Sequence, residues 1–151
     1  MHGSVEEQDV RVRAAVYEGA MLSGTPPSIL DLSRQLALPR EDVSGSLERL
    51  ATAKALVLQP ESREVLMANP FSAVPTPFAV LAGGRLYYGN CIWDALGIPA
   101  MLGCDATLQC SCACCGEAMR LAVTHGDLEP IDAVVHFAIP AQKWWQDIVF
   151  N

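Results

Sequence analysis

All six cysteines of this chain fall within 25 residues, from Cys91 to Cys115, and none occurs in the first 90. A chain with that distribution is a poor fit to a disulfide framework, the usual reading of six cysteines. Its larger part has no thiol to cross-link, and neighbours such as Cys114 and Cys115 make poor bridging partners. The fold must rest on apolar burial, and the thiols are left for chemistry or packing. Four of them crowd into Cys110-Ser111-Cys112-Ala113-Cys114-Cys115. Concentrated thiols of this kind suit soft-metal binding or nucleophilic sulfur. Asp94 follows Cys91 by three residues, so in a helix the two side chains share one face. A thiolate beside a carboxyl group can hold a metal and also move a proton.

Composition permits such a core. The chain has 151 residues, 51% of them hydrophobic and 18% charged, enough for one ordinary domain or two small ones. No apolar run approaches the ~20 residues that span a bilayer, and the polar, acidic start is not a signal peptide. A cytoplasmic location with reduced thiols is the expectation. Net charge is −7, shared as −3 up to Pro70 and −4 after it, which speaks against a nucleic-acid surface.

The periodicity predicts an α+β fold in two parts, residues 1–70 and 71–151. Val10, Ala14, Val16, Tyr17, Ala20 and Met21 recur at helical spacing over about 8–23, and Gly24 closes that helix. Ser28 caps a short helix over Ile29–Leu36, and Val43, Leu47, Leu50 and Ala51 mark a third. Strands follow at 55–59 and 64–68, around a turn at Pro60–Arg63. Three helices and a hairpin form the pattern of a winged-helix-like module. Its third helix sets Arg40, Arg49 and Lys54 against Glu41, Asp42 and Glu48, a poor balance for DNA.

A proline-rich joint, 69–78, leads to a hairpin over 78–88 that turns at Gly83-Gly84. A helix is expected from Cys91 to about Leu102, with Pro99 kinking or ending it. Further strands are expected at 106–110, 119–124 and 133–139, with the cysteine turn between the first two.

The run Gly84-Arg85-Leu86-Tyr87-Tyr88-Gly89-Asn90-Cys91-Ile92-Trp93-Asp94-Ala95-Leu96-Gly97-Ile98-Pro99 resembles the central motif of alkylmercury (organomercurial) lyases. The pieces Ser111–Gly116, Val135-His136-Phe137 and Trp144–Phe150 resemble that family too. The resemblance implies a small α+β domain that cleaves carbon–mercury bonds by protonolysis. Cys91 would be the thiolate that takes mercury, and Asp94 would relay a proton to the departing carbon. The implied ligand is a small organometallic or soft-metal species, with Hg(II) as bound product and no organic cofactor. A carboxyl group buried near Trp93 would have the raised pKa that suits a general acid. Lyases of the family carry a second catalytic cysteine, and no cysteine follows Cys115 before Asn151. That thiol is expected either beyond Asn151 or replaced by Cys110, Cys114 or Cys115, Cys112 being the family counterpart in the cluster.

Other readings remain beside this one. Cys112-x-x-Cys115 has the spacing of half a zinc knuckle, which Cys104, Cys110 or Cys114 could complete for zinc or copper. A non-catalytic soft-metal binding protein or a metal-responsive regulator would use the same thiols. His125 and His136 are read as core or surface residues.

Overall fold

The computed structural model describes residues 4–149, which form an α+β fold. Three helices come first: α1 (Val5–Ser23), α2 (Ile29–Leu36) and α3 (Arg40–Thr52). α1 starts earlier than its apolar periodicity suggests. Ser4 and Glu7 close a capping box, the Ser4 hydroxyl accepting from Glu7 N–H at 3.2 Å and the Glu7 carboxylate from Ser4 N–H at 2.9 Å. Ser28 and Asp31 repeat the device at α2. Gly24 ends α1 in the left-handed conformation, as expected.

β1 (Val57–Leu58) and β2 (Val65–Ala68) form the expected hairpin, shorter than its apolar run. The proline-rich joint then adds a strand that local sequence does not reveal. β3 (Phe71–Ser72) returns along β2 after Asn69-Pro70. Val12, Val16, Leu32, Val43 and Leu47 are fully buried in one core between these helices and β1–β2. Each such side chain contributes about 1.5–3 kcal/mol relative to exposure.

The second sheet is antiparallel, with strand order β5-β4-β6-β7-β8. Its strands are β4 (Ala79–Ala82), β5 (Arg85–Tyr88), β6 (Ala106–Ser111), β7 (Ala118–Thr124) and β8 (Asp127–Leu128). Gly83 and Gly84 both take positive φ at the β4–β5 turn, where L side chains would be strained. α4 (Ile92–Leu102) lies against this sheet. Phe71, Val80, Ile98 and Leu108 are buried in a second core that also takes Ala20 from the end of α1. α1 therefore serves both cores. Tyr17 Oη donates to the Asn69 carbonyl at 3.1 Å, and Tyr87 Oη to the Met21 carbonyl at 2.7 Å.

As expected, α4 runs to Leu102 with Pro99 inside it; Pro99 is buried, and Gly103 is the left-handed cap of the helix. One expectation needs correction. Residues 133–139 form no strand. The edge of β7 is already taken by β8, and Val134 is 92% exposed. The run instead crosses towards α4 and ends in a 3-10 helix, Ala141–Gln146. Its rings hold it together: Phe137 and Trp144 lie 4.8 Å apart, and Trp144 Nε1 donates to the Ile139 carbonyl at 3.0 Å. All six cysteines are free thiols, and no helix among the described residues is long and apolar enough to cross a membrane.

Candidate functional site

β5 delivers the chain to the start of α4 through Gly89-Asn90-Cys91. Gly89 is required there: a Cβ would lie 2.5 Å from the Ala95 backbone nitrogen. Gly89 also bridges to Phe71, tying the two sheets together beside the helix start. Cys91 is the N-cap of α4, with extended backbone, and Asp94 is the third helical residue. These are the positions held by Ser4 and Glu7 at α1 and by Ser28 and Asp31 at α2. At α4 the capping pair is a thiol and a carboxyl group. The thiol makes no capping hydrogen bond of full geometry, which leaves it available to a ligand. The two side chains are nonetheless close enough to influence each other's ionisation. The expected common helix face is realised as an N-cap contact rather than within a helical turn.

Both groups are half-buried. Burial pushes the Cys91 thiol above its ordinary value. The Asp94 and Trp93 amides oppose that, while the neighbouring carboxylate adds to it. Burial also pushes Asp94 up, opposed by hydrogen bonds from Asn90 and Cys91. Trp93, itself 65% exposed, lines the same pocket as Asp94.

That pocket has a volume of about 370 Å³. Asn90, Cys91 and Asp94 form one wall, and Phe137, Trp144 and Ile148 of the C-terminal segment face them. His136 also borders it, so the histidine expected in core or surface is at the site's rim. Asn90 organises the wall. Its Nδ2 donates to Asp94 Oδ2 at 3.1 Å and to Asn69 Oδ1 at 3.0 Å, and lies 3.5 Å from the Phe71 carbonyl. Its Oδ1 is buried with no hydrogen-bond partner among the described residues. Sequence reasoning missed Asn90 and Asn69, whereas Trp144, readable from the sequence as a core or rim aromatic or as a wall of the site, does line the pocket. Only the position of Asn90, next to Cys91, could have drawn attention to it.

The cysteine cluster lies elsewhere. Cys104, Cys110, Cys112, Cys114 and Cys115 do not line this pocket. Strand alternation turns Cys110 to the core face of β6, where it packs on the second core with Cys104. Cys112, Cys114 and Cys115 sit in the β6–β7 turn, with Cys114 and Cys115 exposed. Among the described residues no three His, Cys, Asp or Glu side chains come together as a metal-holding group, so nothing supports a zinc or copper centre.

The sequence profile described as MerB, alkylmercury lyase, matches residues 71–150, more than half of the chain. The chain belongs to the alkylmercury lyase family. Alkylmercury lyases of Bacillus cereus and Clostridium butyricum are each 27% identical to it over 123 residues, which is 80% of this chain and 54% of theirs. The chain thus spans about half the length of these relatives. The mercury-bound form of MerB2 superposes with a TM-score of 0.64 at 22% identity, over 83% of this chain and 59% of that one. This fold is therefore an alkylmercury lyase fold. The matched residues contain the second sheet, α4 and the whole Cys91–Asp94 pair.

Proposed function

We propose that this protein is an organomercurial lyase in which Cys91 binds mercury and Asp94 relays the proton. The observation that carries the reading is the juxtaposition of Cys91 and Asp94 on the lining of a largely apolar pocket. The substrate is an organomercurial cation, RHg⁺, carried in as a thiol adduct. Cys91 forms a sulfur–mercury bond and its proton passes to the Asp94 carboxylate. The carbon–mercury bond then breaks with its electron pair on carbon, which takes the proton from Asp94. RH leaves, and Hg(II) stays on Cys91 with a solution thiolate as second ligand. No oxidation state changes. Soft mercury prefers thiolate ligands, and a carboxyl group with a raised pKa holds the proton more firmly until carbon takes it. Asn90 fixes the carboxyl group through its 3.1 Å hydrogen bond. The apolar facing wall suits the organic group.

Family membership favours this reading over a non-catalytic metal carrier or a regulator. We read residues 1–70 as a winged-helix-like structural module and 71–151 as the catalytic domain. The split into two cores supports that division. A role without nucleic acid is supported by the third helix: Arg49 is paired with Asp9 at 2.7 Å, and Arg63 with Glu48 of α3 at 3.6 Å.

The test is benzene release from phenylmercury in the presence of excess monothiol. Cys91→Ser is expected to abolish release. Asp94→Asn is expected to lower it by about 10²–10⁴-fold while keeping mercury binding. Stoichiometric mercury binding by the unaltered protein without any hydrocarbon would overturn the reading.

A further inference from the structure

The β6–β7 hairpin tip is not absorbed by the pocket chemistry. Cys112 N–H donates to the Glu117 carbonyl at 2.8 Å, and Gly116 N–H to the Cys112 carbonyl at 2.8 Å. These bonds close a tight turn, with Gly116 at φ +75°. The turn curls over residues 112–116, which sets Cys112 and Cys115, three positions apart, on the same side of it. The Cys115 and Cys114 amides and the Cys115 thiol hold the Cys112 thiol below its ordinary value, and Glu117 is the charged neighbour that opposes them. Two thiols thus share one side of a tight turn. Cys115 is exposed, and Cys112 is partly exposed.

The site has two sulfurs and no third ligand. A tetrahedral ion such as zinc needs four donors, and no group of three exists among the described residues. Two thiols on one side of a turn instead match a soft cation that is satisfied by two thiolates. We propose that Cys112 and Cys115 form a second, solvent-facing site that chelates such a cation, with Hg(II) as the representative ion. Binding is ligand exchange. Two sulfur–mercury bonds form, each thiol gives up its proton, and the two monothiolates that carried Hg(II) in solution leave, taking those protons. The site lies at the pocket's end of the sheet. Tyr88, Ala79 and Gln109 pair across β5-β4-β6, so Cys91 and Cys112 both leave the sheet at that end. The strand residues that precede them, Tyr88 and Gln109, lie two strand spacings apart, about 10 Å.

This site does not depend on the lyase reading, and it can be tested where that chemistry is removed. Reduced Cys91→Ser protein is titrated with mercuric chloride in excess 2-mercaptoethanol. Bound metal is counted by mass spectrometry of the intact protein and by thiolate–mercury absorbance. One Hg(II) per chain is expected to survive the monothiol, because the second thiol is held at high effective concentration. Adding Cys112→Ser or Cys115→Ser should weaken retention at least tenfold, whereas Cys114→Ser should leave it in place. Circular dichroism matching the parent protein separates site loss from misfolding. The proposal is overturned if the Cys91→Ser protein holds no Hg(II), if the Cys112→Ser/Cys115→Ser pair retains it, or if loss follows Cys114→Ser.

Discussion

Cys91 and Cys112 are the same side chain in opposite surroundings. Cys91 is half-buried at the start of α4, beside a carboxyl group, and burial raises its pKa. Cys112 sits in an open hairpin turn, where the amides of Cys115 and Cys114 and the Cys115 thiol lower its pKa. The chemistry that follows differs. A thiol that keeps its proton beside Asp94 has a proton to pass on. A thiol that gives it up readily is a ready nucleophile and ligand. The louder cluster in the sequence is thus the simpler site, and the single Cys91 sits in the more elaborate one.

The strongest way to break this contrast is to remove the support under one thiol only. Phe71 is fully buried, stacks 5.7 Å from Tyr87 and offers its carbonyl to Asn90. Phe71→Ala is expected to cost about 3–5 kcal/mol in denaturant unfolding. In the folded fraction it should change the alkylation rate of Cys91 and leave that of Cys112 as it was. Equal changes at both thiols would mean that the tip is not independent of the core.

Alkylation of the unaltered protein sharpens the same contrast. With limiting iodoacetamide at pH 7, peptide mapping should find Cys112 modified at least several-fold faster than Cys91, since the thiolate is the reacting form. Prior labelling of Cys91 would refute the assigned environments.

The pH dependence tests the carboxyl half of the pocket. Under the proposed relay the free protein needs Asp94 ionised and Cys91 protonated. The kcat/KM profile should therefore rise through a midpoint above the ordinary carboxylate value of 3.8, and Asp94→Asn should remove that limb. An ascending limb at or below 3.8 would count against a raised pKa for Asp94.

The smallest expected effect concerns stability. Because folding raises the Asp94 pKa, the folded state holds that proton more tightly than the unfolded chain. The stability this adds is complete below 3.8 and is lost as pH rises through the folded value. At pH 7 the partly buried carboxylate is a net cost. Asp94→Asn keeps an oxygen for Asn90 and should raise Tm by about 1–3 °C, checked by calorimetry at pH 7. The gain should vanish near pH 3. No stabilisation at pH 7 would show that the Asn90 hydrogen bond outweighs desolvation.

Much of this architecture can be read locally. Ser28-x-x-Asp31 and Gly24 mark helix ends, Gly83-Gly84 marks a hairpin, and Cys91-x-x-Asp94 sets a thiol and an acid three residues apart. Each signal acts within a few residues, where backbone preference and periodicity decide the outcome. The run over 133–139 misled because its apolar residues are mostly exposed and the β7 edge is already taken by β8, so an apolar stretch did not report a strand.

The sequence alone determined the α+β class, the helix and hairpin order, the pairing of Cys91 with Asp94 and the likeness to alkylmercury lyases. Tertiary structure decided what those residues face. Asn90 reaches Asn69 across 21 positions, Tyr17 reaches Asn69 across 52, and the C-terminal aromatics close over Cys91. It also turned Cys110 into the core and left Cys112 and Cys115 outside as a pair. The reason is physical: desolvation and hydrogen bonding set the reactivity of a thiol, and both depend on neighbours distant in the chain.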